Sequence, residues 1–288
     1  MQTILSLHEK QVIIGDDQPF VIIGERINPT RRKKLAESMA QGDYSVVQQD
    51  ARSQADAGAQ VLDVNAGIPG GDEPALLSGA VKAVLETVQI PLCIDTANPD
   101  ALEAALAVYP GKALINSTTA EAAMMGRVLP LAKKYGAAVI GVITDESGIP
   151  ATPAKRLETA RRLIGTAGDY GIPPQDVLID CLALTVGADS NAGRVTLDSI
   201  ELIRNELGVN MSLGASNVSF GLPDRKIINV AYLALAISRG LTAAITDPTV
   251  PEIQTTLLAC DLLMGRDEYA SRWIRAFRKR EKAKAQST

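Results

Sequence analysis

The sequence predicts an α/β fold of the (β/α)8 TIM-barrel type in a single domain, and three observations indicate it. Short apolar runs alternate with amphipathic segments of helical spacing along the 288 residues. Hydrophobic residues make up 46% of the chain but aromatic residues only 3%, so aliphatic side chains must fill the core. Such a core suits buried parallel strands covered by helices. A barrel of this type typically needs about 250 residues.

The elements follow in a regular order. Residues Thr3–Leu7 and 12–14 flank a charged turn and predict a short N-terminal hairpin. The predicted barrel strands are the apolar runs 20–24, 61–64, 91–94, 113–115, 137–143, 177–179, 211–214 and 243–245. The predicted helices are the amphipathic segments 43–58, 73–88, 99–108, 120–135, 153–168, 196–207, 223–239 and 251–263.

A doubly wound open sheet is the rival fold. That fold places a glycine-rich phosphate-binding turn after its first strand. Here the first barrel strand continues as Gly24-Glu25-Arg26-Ile27, which is not a G-x-G-x-x-G turn. The barrel is therefore the predicted fold.

The C-terminal segment 265–288 differs from the rest in charge, with eight basic and three acidic residues. We therefore divide the chain into a barrel with its hairpin, 1–264, and a basic helical tail, 265–288. The tail is interpreted as a solvated helix, or as a docking or dimer element. Tyr269, Trp273 and Phe277 recur every four residues, and this stripe is predicted to pack on the barrel.

Charge and cysteine content exclude several classes of protein. The net charge of −4 gives no overall basic field for nucleic acid. Cys93, Cys181 and Cys260 are widely spaced and lack a Cys-x-x-Cys pattern, which predicts reduced thiols in a cytoplasmic protein and no zinc site. Neither a signal peptide nor an apolar run of the ~18 residues that a membrane span needs is recognisable.

Polar residues stand at the carboxyl end of every predicted barrel strand, where the active site of this fold lies. A structural reading, as caps of the following helices, applies best to Thr96, Thr118 and Asp247. The capping interpretation fits less well for polar residues inside the apolar runs, because burial of a polar group without a partner costs free energy. The strand-end residues include Glu25, Arg26, Asn28, Asp63, Asn65, Asp95, Asn116, Asp145, Glu146, Asp180, Ser216, Asn217 and Asp247.

These residue types limit the chemistry of the pocket. The only histidine, His8, lies in the hairpin and is read as structural, which removes histidine-based acid–base catalysis and histidine-ligated metal sites. Carboxylates accept paired N–H groups, and amides both donate and accept. The pocket therefore suits a neutral, flat heterocycle with several N–H donors, and both pterins and guanine-like rings fit that description.

The strand-end motifs carry a family resemblance. With Arg225 eight residues beyond Asn217, they resemble the pterin-binding methyltransferases: methyltetrahydrofolate–corrinoid methyltransferases and the folate domain of cobalamin-dependent methionine synthase. The resemblance covers about residues 20 to 263. The motifs are Gly24-Glu25-Arg26-Ile27-Asn28, Asp63-Val64-Asn65-Ala66-Gly67, Cys93-Ile94-Asp95-Thr96, Ile115-Asn116-Ser117-Thr118, Leu178-Ile179-Asp180 and Gly214-Ala215-Ser216-Asn217-Val218-Ser219-Phe220-Gly221.

The resemblance implies roles for these residues. Asn217 would be the catalytic residue, at N5 and the methyl group of the folate. The pterin and the rest of the folate would be held by Asp95, Asn116, Asp180, Asn217, Phe220 and Arg225. The pocket floor and the support of these side chains would come from Glu25, Asn28, Asp63, Asn65 and Ser216.

The implied function is methyl transfer in one-carbon metabolism, between N5 of tetrahydrofolate and the cobalt of a corrinoid. The substrates would be tetrahydrofolate and 5-methyltetrahydrofolate. The chain lacks an Asp-x-His-x-x-Gly cobalt-ligating motif, so the corrinoid is expected on a separate partner protein. The resemblance also implies a homodimer, and we expect no bound metal, nucleic acid or membrane. The direction of transfer is not encoded.

Three alternatives stay open. A dihydropteroate synthase-like enzyme would share the barrel, but a lysine after the sixth strand is replaced here by Asp180-Cys181-Leu182. A non-catalytic pterin-binding subunit would keep the pocket without the reaction. A metal-dependent barrel enzyme would use Asp63, Asp95 and Asp180 as Mg²⁺ ligands.

Overall fold

Two antiparallel strands and one short strand form a small sheet ahead of the barrel. A computed structural model describes residues 1–286. Strands β1 (Thr3–Leu7) and β2 (Lys10–Ile14) form the predicted hairpin, and β6 (Gly111–Lys112) pairs with β1. Leu5 and Ile14 of the hairpin pack into the inside of the barrel. The hairpin therefore covers the end of the barrel at which the strands begin.

Eight parallel strands form one sheet that closes on itself. Its open ends meet where the backbone N–H of Ile245 donates to the carbonyl oxygen of Leu213 at 2.9 Å. The predicted (β/α)8 barrel is confirmed. In chain order the strands are β3 (Val21–Ile27), β4 (Val61–Asn65), β5 (Leu92–Asp95), β7 (Leu114–Thr119), β8 (Ala138–Val142), β9 (Val177–Asp180), β10 (Met211–Ser212) and β11 (Ala243–Thr246).

Helices surround the barrel, as the amphipathic segments predict. The N-terminal starts are visible in the sequence: the side chain of Asn98 accepts from the backbone N–H of Asp100 at 3.0 Å, and Pro99 follows it. The helices are α1 (Lys33–Ala40), α2 (Ser45–Asp56), α3 (Glu73–Leu85), α4 (Pro99–Val108), α5 (Ala122–Tyr135), α6 (Pro153–Asp169), α7 (Ala192–Leu207), α8 (Arg225–Ser238), α9 (Pro251–Leu263) and α10 (Ser271–Gln286).

Two helices differ from the prediction. Helix α1 was not predicted, because it has only 8 residues and its buried face consists of Leu35 and Met39 alone. Helix α7 starts at Ala192, four residues earlier than predicted. Its first turn lies in a polar segment, so the apolar spacing becomes visible only from Thr196 onward.

The basic tail is anchored at the hairpin end of the barrel. The Asp261 carboxylate accepts from the backbone N–H of Phe20, just before β3, at 3.0 Å and from the Arg272 guanidinium at 2.8 Å. The prediction that the aromatic stripe packs on the barrel is wrong, because Tyr269 precedes α10 and is 96% exposed, while Phe277 is 51% exposed. The division into 1–264 and 265–288 stays a prediction. Within residues 1–286, none of the helices has the length and apolar character for crossing a bilayer.

Candidate functional site

The polar strand-end residues point into the barrel because side chains alternate along a strand with a period of two. Val61, Cys93, Leu114 and Leu178 all belong to the apolar cluster inside the barrel. The residues two positions further along their strands therefore face the same interior, one layer nearer the carboxyl end. They are Asp63, Asp95, Asn116 and Asp180. By the same count Glu25 follows Ile23.

These side chains line a cavity of about 470 Å³ at the carboxyl ends of the strands. This volume lies in the range of small-molecule sites, about 300–1,000 Å³. The sequence-predicted residues that it brings together are Glu25, Asn28, Asp63, Asp95, Asn116, Asp180 and Asn217. The other lining residues are Arg26, Thr30, Arg32, Gly214, Ile245 and Asp247.

Two carboxyl groups and two amides form a network on the cavity floor. Asn116 donates from Nδ2 to Asp63 Oδ1 at 3.1 Å, and Asn65 donates from Nδ2 to Asp95 Oδ2 at 3.0 Å. Burial and the neighbouring Asp95 charge raise the pKa of Asp63 well above its usual range. Burial also raises the pKa of Asp95 to about 6. The pair therefore holds a proton at mildly acidic pH, which gives the floor a donor as well as acceptors.

Asp180 is fixed by its own backbone surroundings. Its Oδ1 accepts from the N–H of Leu182 at 2.6 Å and its Oδ2 accepts from the N–H of Gly214 at 3.2 Å. Burial raises the pKa of Asp180 to about 6 although both hydrogen bonds oppose the shift. Each oxygen keeps a second lone pair for a ligand. The carboxyl group is thus held still, and it lines the cavity.

Glu25 faces the cavity from β3 and joins it to the loop after β10. Ser216 donates from Oγ to Glu25 Oε1 at 2.9 Å. Burial raises the pKa of Glu25 to about 7, because the hydrogen bond from Ser216 does not offset the lost hydration. At neutral pH the group therefore exchanges a proton readily.

This raised pKa predicts a stability effect. The folded state binds the Glu25 proton more tightly than the unfolded state, so proton binding contributes to the free energy of unfolding. This contribution is complete below the unfolded pKa and is lost as pH rises through about 7. We compare the free energy of unfolding of Glu25→Gln with that of the parent. The variant-minus-parent difference should be about 1–3 kcal/mol larger at pH 8 than at pH 4.5. Urea unfolding at both pH values measures this. Surface variant Glu86→Gln is the control, and an equal difference in both variants would contradict the assignment.

Asn217 stands in a short 3-10 helix, Ala215–Ser219, that follows β10. Among residues 1–286 its side chain has no hydrogen-bond partner, and it lines the cavity. The segment is held from outside by Arg225, which donates from Nη2 to the carbonyl oxygen of Ser216 at 2.6 Å and from Nε to Ser219 Oγ at 3.0 Å. A Cβ at Gly214 would stand 3.1 Å from Asn217 Nδ2, so a side chain at this position would shift the amide. The amide is thus positioned while its polar atoms stay open to a ligand.

Four predicted site residues lie outside the cavity lining. Asn65 reaches the site through Asp95, and Ser216 reaches it through Glu25. Arg225 holds the segment that carries Asn217, and Phe220 lies at the rim with 45% of its surface exposed. Their roles toward a ligand stay predictions.

An arginine pair in the cavity lining was missed as a functional feature. Arg26 donates from Nη1 to Asp247 Oδ2 at 2.9 Å, and Arg32 donates from Nη1 to Asp50 Oδ2 at 2.5 Å. Burial acts to raise the pKa of Asp247, but hydrogen bonds from Thr249 and Arg26 outweigh it and lower the pKa. The signal in the sequence was Asp50, an acid that helix α2 turns inward rather than to solvent.

Glu146, the second of the two acids after β8, has a structural role. Glu146 accepts from both terminal nitrogens of Arg162 at 2.8 Å and from the backbone N–H of Ala122 at 2.8 Å. These hydrogen bonds lower the pKa of Glu146 to about 2. The contacts fasten the loop to the first turn of α5 and to α6.

Within the described part of the chain, no group of three or more His, Cys, Asp or Glu side chains is arranged to hold a metal ion.

Comparison with known proteins gives matches over most of the chain. The profile of the family described as pterin binding enzyme matches residues 24–247. The chain is 30% identical to the methylcorrinoid:tetrahydrofolate methyltransferase of Eubacterium limosum, over 90% of this chain and 96% of that protein. It is also 30% identical to the methionine synthase of Mycobacterium tuberculosis, over 88% of this chain and 23% of that longer protein.

Solved structures match the fold. The dihydropteroate synthase of Xanthomonas albilineans with 4-aminobenzoic acid gives a TM-score of 0.69 at 20% identity, over 91% of this chain and 98% of that one. The enzyme of Thermus thermophilus gives a TM-score of 0.68 at 18% identity, over 90% and 99% of the two chains. At this level of identity the likeness concerns the barrel itself.

Proposed function

Because the chain belongs to the pterin binding enzyme family, we propose that it moves a methyl group between N5 of tetrahydrofolate and the cobalt of a corrinoid on a separate protein. The single observation that carries the proposal is the Asn217 amide, which lines the cavity and has no hydrogen-bond partner in residues 1–286. The relative from Eubacterium limosum, whose name states this pair of methyl carriers, supports it.

The pterin ring is proposed to lie on the acidic floor. Its amino and ring N–H groups face Asp95 and Asp180, and Asn116 completes the edge with one donor and one acceptor. Charge-assisted hydrogen bonds of this kind are worth about 1.5–3 kcal/mol each. The floor thus fixes the ring plane and brings N5 toward Asn217.

The proposed chemistry centres on the charge at N5. When the methyl group leaves a neutral tertiary amine, the nitrogen departs as an anion, which is a poor leaving group. With a proton on N5, the electron pair of the breaking C–N bond returns to a neutral N–H amine. The Asn217 side-chain oxygen accepts from that N–H without titrating itself, which stabilises the protonated amine.

The corrinoid is assigned to the partner because the single histidine of this chain, His8, lies in the hairpin turn at the end of the barrel opposite the cavity. When bound, a corrinoid supplies a cobalt that accepts or donates the methyl group. The residues of this chain hold the folate, and the open mouth of the cavity leaves its methyl group accessible.

The function is tested by mixing the chain with 5-methyltetrahydrofolate and a corrinoid protein reduced to Co(I), while the cobalt absorption spectrum is recorded. We expect the Co(I) spectrum to disappear and tetrahydrofolate to appear in equal amount. The reverse mixture, methylated corrinoid protein and tetrahydrofolate, reports the other direction. If both mixtures stay unchanged while folate binding is measurable, the chain is a pterin-binding subunit without this activity.

Dihydropteroate synthesis is the second candidate, because solved structures of that enzyme share the barrel. The resemblance leads us to expect a lysine after the sixth barrel strand of that enzyme, where this chain reads Asp180-Cys181-Leu182, and Arg26 and Arg32 are already paired with acids. We therefore expect no condensation of a pterin pyrophosphate with 4-aminobenzoate. Formation of dihydropteroate would favour dihydropteroate synthesis over methyl transfer as the function.

We also propose a cytoplasmic homodimer. The three cysteines are free thiols, which agrees with a reducing compartment. Helix α8 exposes Ile227 and Leu235, which border an apolar groove against α7. Apolar side chains exposed together are typical of contacts between subunits.

A further inference from the structure

A run of four cations lies at the edge of the cavity, because Thr30 and Arg32, the two neighbours of Arg31, both line it. These cations are Arg31, Arg32, Lys33 and Lys34, which three residues separate from the end of β3. The chain as a whole is acidic, with a net charge of −4. Arg32 forms an ion pair with Asp50, and Lys33 Nζ lies 3.6 Å from Glu37 Oε1. Arg31 and Lys34 are exposed and have no ion pair or hydrogen-bonded acid in residues 1–286. The mouth thus carries free positive charge.

One of these cations is held in place by an aromatic ring. The Arg31 guanidinium lies 4.7 Å from the ring centre of Phe220, and the Arg225 guanidinium lies 5.9 Å from the same centre. Thr185 fixes the backbone of Phe220 by donating from Oγ1 to its carbonyl oxygen at 2.7 Å. Arg225 donates from Nε to Ser219 and from Nη2 to Ser216, whereas within residues 1–286 none of the five N–H donors of Arg31 has a hydrogen-bond partner. Arg31 is therefore an ordered guanidinium with open hydrogen-bonding capacity.

We propose that Arg31, with Lys34 beside it, binds the glutamyl carboxylates of the folate tail and makes the enzyme select polyglutamylated substrates. This inference rests on the proposed function, because it takes the pterin to be bound in the cavity. Phe220 follows Asn217 by three residues along the same short segment. A folate whose N5 lies at Asn217 leaves the cavity along this rim, and its anionic tail meets Arg31 there.

The geometry favours a small carboxylate ligand over an acidic protein surface. A guanidinium fork matches a carboxylate with two parallel hydrogen bonds, and stacking on Phe220 fixes the orientation of the fork. Docking of an acidic protein would use charges spread over a wide face. Here the ordered cation adjoins the segment that carries Asn217.

The test measures equilibrium binding of 5-methyltetrahydrofolate as the monoglutamate and the triglutamate, by calorimetry on the full chain without any corrinoid protein. We expect the triglutamate to bind about tenfold more tightly, with a preference that falls at high salt. Arg31→Gln should reduce the preference to about twofold or less. The control Arg127→Gln, on the outer face of α5, should keep it.

Equal binding of the two ligands by the parent, or an undiminished preference in Arg31→Gln, would overturn the proposal. If Arg31→Gln instead raises the KM for the corrinoid protein and leaves the preference intact, the rim serves the partner. Because binding is measured without turnover, failure of methyl transfer with an intact preference would count against the proposed function alone. Loss of all folate binding in the parent would count against both.

Discussion

Asn217→Ala is expected to slow methyl transfer by about 10²–10³-fold while changing folate affinity by less than about threefold. The Asn217 side chain makes no hydrogen bond within residues 1–286, so its removal leaves no buried group unpaired. What disappears is an acceptor whose hydrogen bond forms only as N5 becomes protonated. The loss therefore falls on the transition state rather than on the bound folate.

Single-turnover kinetics with an excess of corrinoid protein measure the rate of the chemical step, and equilibrium titration measures folate binding. Asn205→Ala, at an exposed position of α7, is the matched control and should change neither quantity. If rate and affinity fell by equal factors in Asn217→Ala, the amide would be a ground-state binding contact, and its assignment as the catalytic residue would be wrong.

Asp95→Asn is expected to weaken folate binding by about 10–100-fold, because a neutral amide replaces a charge-assisted acceptor. The fold should tolerate this change. The new side chain keeps an oxygen for Asn65 Nδ2, now 3.0 Å from Asp95 Oδ2, and its NH₂ group can donate to Asp63. The variant also removes one of two neighbouring buried acids, and burial raises the pKa values of both.

Asp95→Asn is thus expected to weaken folate binding without lowering the stability of the fold. Above pH 7, Asp95→Asn should unfold at an equal or higher urea concentration than the parent while its folate Kd rises. Asp56→Asn, on the exposed end of α2, should alter neither value. A fall in stability together with the fall in affinity would show that Asp95 acts mainly by holding the floor together.

The sequence predicted the lining of the cavity well where two regular patterns coincide. Alternation along a strand and the position of active sites at the carboxyl strand ends together place Asp63, Asp95, Asn116 and Asp180 in one layer. Both patterns are local and can be counted along the chain. For this reason the barrel was identified together with most residues of the cavity lining.

The sequence did not reveal contacts that depend on long-range geometry. The spacing of helix α2 turns Asp50 inward, but it does not show that the partners of Asp50 are Arg32 and Arg26. The stacking of Arg31 on Phe220 joins residues almost two hundred positions apart, from the loops after β3 and β10. Tyr269 fits a helical spacing, yet its positive φ of 53° places it before the first turn of α10.

The central claim is that the acidic floor holds a pterin whose N5 faces Asn217. A crystal structure of the chain with 5-methyltetrahydrofolate tests it most directly. We expect the pterin edge within hydrogen-bond distance of Asp95, Asn116 and Asp180, and N5 about 3 Å from the Asn217 amide. A folate bound outside this cavity, or bound within it with N5 turned away from Asn217, would contradict the claim.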